Sequence, residues 1–335
     1  MTKDKELITN LLEKVKASGK QPTLVLTEGW DERGLKAAEF VVKEGIAKIV
    51  LLDQGNNIEA AAKEFNVDAS QFTIFDIQDE KNIELKKELS EILLKKREHK
   101  GMTIEKALEL VEDENYFGAC LVLAGKADAF LGSLIRSTGD MMKPALQLLR
   151  KGLVSETMII YDPKRDKIFF GSDASLNISP NADQLAEMAI NASGVASLFG
   201  YDPVVGMLSF STKGSGGDTP ETQLVREAIV KAKELRPRLK IGGEYQFDAA
   251  VSEHGAERKC KDDDYAGKVN TFVFPNLTTS NIFCHGMMQF SDLVFMFTIM
   301  KGTIKPVVIL GRSTPAELVN NMFLVAAMEA IEMME

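Results

Sequence analysis

Residues 204–217 form an apolar run that ends in Ser211, Thr212, Lys213, Gly214, Ser215, Gly216 and Gly217. Hydroxyls, an ammonium and several glycines at this spacing suit an anion: glycine lets the backbone come close, free N–H groups donate, and the lysine adds a point charge. The same residues also suit a plain surface turn, and a glycine-rich loop without a full nucleotide-binding pattern does not decide between the two. Cys284 beside His285 invites a nucleophilic reading. Neighbours in sequence rarely point at each other, however, and a small buried cysteine is the simpler expectation. His99 and His254 have no metal-like spacing to carboxylates or thiols, so no metal site is expected. Asp262, Asp263 and Asp264 read as a solvated turn.

Elements must hold these residues in place. The apolar run before Ser211 reads as a buried strand, and a helical pattern resumes at Thr219, so the loop joins a strand's carboxyl end to a helix's amino end. That edge is where α/β proteins hold ligands. Leu7, Leu11, Leu12 and Val15 predict a first helix that stops at Gly19. Strand patterns over residues 23–28, 47–53 and 71–77, with a helix over 30–45, predict parallel βαβ units covered by helices on both faces. Residues 79–126 are helical in pattern, broken at His99–Gly101 before a capping box at Thr103. A strand over 127–133 and a helix over 140–152 follow. Residues 155–162 and 166–173 then read as a hairpin, an antiparallel pair that marks a domain boundary. The strand at 305–311 and the helix opened by Pro315 return to the first half's pattern. The expected division is 1–151 plus 302–335 for one domain and 152–301 for the other. The clustered methionines fit core or dimer packing.

The totals narrow the function classes. A chain of 335 residues, 45% hydrophobic, fits two domains better than one. Its net charge of -9, with no basic stripe, argues against a nucleic-acid partner. The first residues lack the apolar core of a secretory signal, and no stretch is long enough to span a membrane. Three cysteines make neither a disulfide framework nor a metal set. A soluble cytoplasmic protein is expected.

Taken together, the motifs resemble the phosphate acetyltransferase family over essentially the whole chain. Glu28, Asp31, Arg33, Leu35, Ala37 and Ala38 fit the family's opening pattern, and Arg97 precedes a Lys-Gly-x-Thr turn as in that family. The 207–216 loop is similar to its most recognisable segment, and the stretches at 243–250, 266–277 and 280–283 follow in the family's order. The resemblance implies an α/β fold of two αβα-sandwich domains with mostly parallel sheets and a cleft between them, as in isocitrate dehydrogenase-like proteins. It implies transfer of an acetyl group between coenzyme A and inorganic phosphate, no tightly bound cofactor, and a homodimer. A non-catalytic or weakly active acyl-CoA-binding protein and a propionyl or butyryl transferase are the alternatives.

Residue by residue, the resemblance places Arg312 beside the reacting centre, where a planar guanidinium suits both phosphate and a developing oxyanion. Arg97, Ser137, Thr138, Lys143, Ser211, Thr212, Lys213, Gly214, Ser215 and Asn281 are the implied substrate-binding positions. The chain also departs from the pattern. Gly311 stands where the family carries a serine, and Leu318 where it carries the aspartate that serves as base. Lys143 replaces an arginine, His285 a lysine, and Lys301 a glutamine. Ser313 or Thr314 is then the candidate hydroxyl. Glu317 is the candidate base, although a carboxylate in a helix's first turn also simply favours the helix dipole.

Overall fold

The computed structural model of the chain describes residues 1–55 and 57–334. In chain order, α1 (Lys3–Ala17) precedes β1 (Thr23–Leu26), α2 (Glu32–Lys43), β2 (Lys48–Asp53), α3 (Asn57–Phe65) and β3 (Thr73–Asp76). Helices α4 (Ile83–Arg97), α5 (Ile104–Leu110) and α6 (Glu114–Leu123) lead to β4 (Ala129–Gly132) and α7 (Thr138–Leu148). There follow β5 (Arg150–Asp162), β6 (Lys167–Ser172), α8 (Ala182–Leu198), β7 (Val205–Leu208), α9 (Pro220–Leu235) and β8 (Ile241–Tyr245). Next come α10 (Phe247–Val251), α11 (Glu253–Lys259), β9 (Thr271–Val273), α12 (Leu277–Phe290) and β10 (Val294–Thr303). The order closes with β11 (Val307–Ile309) and α13 (Ala316–Met333).

Two compact units result. The described residues of Ile8–Gly152 and Thr303–Glu335 form one, and Met1–Leu7 with Leu153–Gly302 form the other. The first unit holds a five-stranded sheet in the order β11-β4-β1-β2-β3, with every neighbouring pair parallel. Its strands read as continuous apolar runs because both faces are covered: β4 is buried at all four residues. The helices fall into two groups, α2 with α3 and α13, and α4 with α6 and α7, as a doubly wound sheet requires. α2 starts at Asp31, whose side chain caps the Arg33 N–H, and buries Leu35, Ala37, Ala38 and Val41 along one stripe.

The second unit holds six strands in the order β10-β5-β6-β9-β7-β8. β5 and β6 form the antiparallel hairpin expected from the turn at 162–166, while β6, β9, β7 and β8 run parallel. Side-chain alternation separates two cores: Val205 and Met207 pack with α8 and α9, whereas Leu208, Phe272 and Phe274 pack with residues of α11 and α12. Full burial of each such apolar side chain contributes about 1.5–3 kcal/mol.

The structure departs from the sequence reading in three places. The helix expected over 140–152 ends at Leu148, and β5 begins at Arg150, five residues before the expected strand. β10 was not expected: Met300, read as core or dimer packing, lies on a strand, 4% exposed, with Met296 four residues before it at 6%. Finally, no helix was expected over 277–290, where α12 exposes most of its length and buries only Ser280 and Cys284.

Candidate functional site

In the five-stranded sheet the strand order reverses between β1 and β4, and the carboxyl edge at that point is where a doubly wound sheet offers a crevice. Just beyond β1, Glu28 adopts a left-handed φ of 57° and is fully buried. Its carboxylate accepts the backbone N–H of Leu134 and of Arg136, each at 2.6 Å, and so fixes the loop after β4. The Glu28 N–H in turn donates to Glu114 at 3.1 Å. The Arg136 guanidinium pairs with Asp113 and lies 3.4 Å from Glu114. Burial pushes the Glu114 carboxyl up to about 7, against the pull of the Glu28 N–H and Arg136.

The turn after β11 carries Arg312 and Ser313, both exposed, and leads to Glu317, exposed in the first turn of α13. Among the described residues the Arg312 guanidinium has no acidic partner. Its backbone is held instead: Arg33 Nη1 donates to the Arg312 carbonyl at 2.9 Å and to the Thr314 carbonyl at 3.0 Å. Gly311 sits at φ 78°, and a Cβ there would lie 2.7 Å from Thr314 Oγ1. The position the resemblance gives to serine therefore has a glycine backbone, and the Thr314 hydroxyl fills its side-chain space. Ser313 stands in the exposed part of the turn, with Thr314 half-buried beneath it.

Ser137 is the N-cap of α7 in a capping box with Asp140, its hydroxyl donating to Asp140 Oδ2 at 2.7 Å. Thr138 and Lys143 lie exposed on the same helix. Arg97 ends α4, and its Nε is buried with no acceptor among the described residues. A buried donor without an acceptor calls for an explanation such as a ligand.

The other unit holds the glycine loop, and here the chemistry read from the sequence takes a different form. The loop does cradle an anion, but that anion is Glu244, 2% exposed at the end of β8. Glu244 accepts from the Gly214 N–H at 2.7 Å, Ser211 Oγ at 3.1 Å, and Arg226 Nε and Nη2 at 3.0 and 3.1 Å. These bonds, from Arg226 above all, overcome the effect of burial and hold its carboxyl down at about 2. Every N–H from Ser211 to Gly217 finds an acceptor within the fold. The Thr212 hydroxyl accepts from the Gln246 N–H at 2.9 Å, and Ser215 Oγ accepts from the Thr212 N–H at 3.0 Å.

Lys213 is engaged as well. Its ammonium lies 2.7 Å from Asp263, donates to the Gly243 carbonyl at 2.8 Å, and stands 5.2 Å from the centre of the Tyr245 ring. Asp263 is thus no solvated turn residue: only its neighbours Asp262 and Asp264 are exposed. Against burial, hydrogen bonds from Lys213, Tyr245 and the Tyr265 and Ala266 amides hold its carboxyl at about 2. Asn281 lies exposed on α12, its Nδ2 3.5 Å from the Ala174 carbonyl. Beside it, Cys284 is buried with its sulfur 3.2 Å from that of Met158, and burial pushes its thiol up to about 12, too high for a nucleophile. His285 is exposed. Among the described residues no group of three or more His, Cys, Asp or Glu side chains could hold a metal ion, and no helix is long and apolar enough to cross a membrane.

Sequence reasoning missed Glu244, Asp263 and the bonding of Arg33. Glu244 follows a Gly-Gly pair but lies some thirty positions from its loop, and the acceptors of Arg33 are mostly backbone carbonyls, which leave no trace in residue type.

An α/β protein with two mostly parallel sheets is the class these elements define. Within it, residues 6–327 match the family model described as phosphate acetyl/butaryl transferase, and the chain belongs to that family. It is 34% identical over 328 residues to a phosphate acetyltransferase of Bacillus subtilis, covering 97% of this chain and 99% of that one. It is 38% identical over 286 residues to a phosphate acetyltransferase of Thermoanaerobacterium thermosaccharolyticum, covering 82% and 84%. A crystal structure of a phosphotransacetylase from Streptococcus pyogenes superposes with a TM-score of 0.90 at 34% identity, covering 98% of this chain and 99% of that one.

Proposed function

We propose that the chain is a phosphate acetyltransferase, catalysing acetyl-CoA + phosphate = acetyl phosphate + CoA. The observation that carries the reading beyond family membership is the Arg312 guanidinium, unpaired among the described residues on a turn that Arg33 holds at the carboxyl edge of a parallel sheet. In the direction of thiol attack, the coenzyme A sulfur bonds to the acyl carbon of acetyl phosphate. The bond from that carbon to the phosphate oxygen breaks, and the electron pair leaves with phosphate. A thiol with a pKa of about 8.5 is mostly protonated at neutral pH, so its proton passes to a base.

Arg312 balances charge on the phosphate and the oxyanion, and Arg97 offers its unpaired Nε to the same anion. Glu317 is the base in this reading, because Leu318 cannot accept a proton, and Ser313 donates from the turn. Ser137, Thr138, Lys143 and Asn281 contact substrate. Residues 211–215 shape the coenzyme A site, with the Gly214 N–H and Ser211 Oγ held by Glu244. Coenzyme A comes and goes as substrate. The reading extends to a cytoplasmic homodimer, supported by the apolar side chains that α12 exposes, Ile282 at 67% and Phe290 at 89%.

Thiol consumption by purified protein with coenzyme A and acetyl, propionyl or butyryl phosphate tests the proposal. Acetyl phosphate is expected to react fastest. A faster longer acyl group would rename the substrate, and binding of coenzyme A without any transfer would overturn the enzyme reading.

A further inference from the structure

Arg33 lies in the first turn of α2 and is not among the positions assigned to substrate, yet all five of its guanidinium N–H donors are placed. Nε donates to Asp31 Oδ1 at 3.0 Å and Nη2 to Asp31 Oδ2 at 2.8 Å, a two-point pairing that fixes the plane of the group. The remaining donors meet backbone carbonyls of two separate loops. Nη2 reaches Leu134 at 2.9 Å, in the loop after β4, while Nη1 reaches Arg312 at 2.9 Å and Thr314 at 3.0 Å, in the turn after β11. The side chain is 23% exposed and its partner Asp31 13%.

The strand order explains the reach: β1, β4 and β11 are neighbours, so a side chain rooted just past β1 can fasten the loops that leave the other two. The loop after β4 is fixed from its other side by Glu28, through the Leu134 and Arg136 N–H groups. At Leu134 the N–H goes to Glu28 and the carbonyl to Arg33. By contrast, the 311–314 turn has few restraints of its own. Gly311 is left-handed, Thr314 N–H meets the Gly311 carbonyl at 3.3 Å, and Pro315, the N-cap of α13, gives no side-chain cap.

We infer that Arg33 is a positioning residue for the transfer reaction: with Asp31 orienting it, its guanidinium ties the turn bearing Arg312 to the Glu28-fixed loop after β4, and so sets where the Arg312 guanidinium stands. The inference rests on the proposed acyl transfer for its kinetic consequence, but the tie itself does not depend on that activity. Lysine cannot replace it, since one ammonium on a flexible stem cannot hold three carbonyls and a bidentate carboxylate in one plane. Displacement of a reacting group by about 1 Å commonly costs about 10²-fold in rate.

The test compares the wild-type protein with Arg33→Ala, Arg33→Lys and Asp31→Asn, by acyl-transfer kinetics and by amide hydrogen exchange of peptides covering 133–137 and 310–316. For Arg33→Ala and Arg33→Lys, kcat is expected to fall about 10- to 100-fold with KM for coenzyme A within about twofold. Added guanidinium ion at millimolar level should restore part of the Arg33→Ala rate, and exchange should rise in both peptides but not in β1. Asp31→Asn should fall between. An unchanged kcat, or a loss that guanidinium does not restore while exchange rises across the whole sheet, overturns the inference. No transfer by the wild-type protein refutes the proposed function instead. The exchange arm then still decides the tie, which unchanged exchange in the two peptides would refute.

Discussion

Replacing Glu244 by glutamine removes the anion around which the glycine loop is built while keeping its size. The carboxyl is held at about 2 against an ordinary 4.5, and at about 1.4 kcal/mol per unit this corresponds to about 3 kcal/mol of folding stability. Two bonds from Arg226, one from the Gly214 N–H and one from Ser211 Oγ account for a figure of that size, since net gains of about 1.5–3 kcal/mol are usual for bonds to a charged group and burial subtracts from the sum. The sign follows from the direction of the shift. A depressed carboxyl contributes fully above its unfolded value of 4.5, and the contribution is lost as pH falls through the folded value near 2.

Urea unfolding followed by circular dichroism at a series of pH values is the assay. Trp30, the chain's single tryptophan, belongs to the other unit, so its fluorescence reports on unfolding there. At pH 7, Glu244→Gln is expected to be less stable than wild type by about 3 kcal/mol, with the difference shrinking toward zero as pH approaches 2. A difference below about 1 kcal/mol at pH 7, or one that does not change with pH, would refute the claim that the loop's donors are satisfied by this carboxylate.

Two further outcomes follow from the other unit. Restoring serine at Gly311 places a side chain at φ 78° and 2.7 Å from Thr314 Oγ1, so Gly311→Ser should lower stability by about 1–3 kcal/mol and should not raise the transfer rate. Adding Thr314→Ala should relieve the contact and recover only part of the stability, as thermal melts would show. Glu114 titrates in the opposite sense to Glu244. Its folded carboxyl keeps its proton up to about 7 whereas the unfolded one loses it near 4.5, so its contribution is greatest below 4.5 and is lost as pH rises to about 7, a change of about 3 kcal/mol. Glu114→Gln should flatten that part of the stability profile in urea titrations between pH 4.5 and 8, and an unaltered profile would show that Glu114 is ionised throughout.

The α/β class was legible because buried parallel strands announce themselves as short apolar runs, as at β2 and β4, and the hairpin of β5 and β6 because its turn residues cluster at 162–166. β10 was not, since a run broken by methionines and a lysine carries no clear alternation. At the glycine loop, residue types suited an anion and a plain turn alike, and could not show that the chain itself supplies an anion, because Glu244 arrives through the pairing of β7 with β8. The losses at Gly311 and Leu318 were visible in the sequence. That Thr314 fills the space beside Gly311 depends on a turn geometry that no pattern encodes. Arg33 was noticed only as part of a motif, for three of its acceptors are peptide carbonyls.

The central claim is that this chain transfers an acetyl group between coenzyme A and phosphate with Arg312 at the reacting centre, despite lacking the serine and aspartate of the family pattern. Phosphate-dependent formation of acetyl phosphate from acetyl-CoA, measured side by side for the wild-type protein and Arg312→Ala, tests it most directly. Transfer by the wild type and a fall of about 10²- to 10³-fold in kcat for the variant is the predicted result, the size expected when a donor to a developing oxyanion is removed. Equal rates for the two proteins, or no phosphate-dependent product from the wild type, would contradict it.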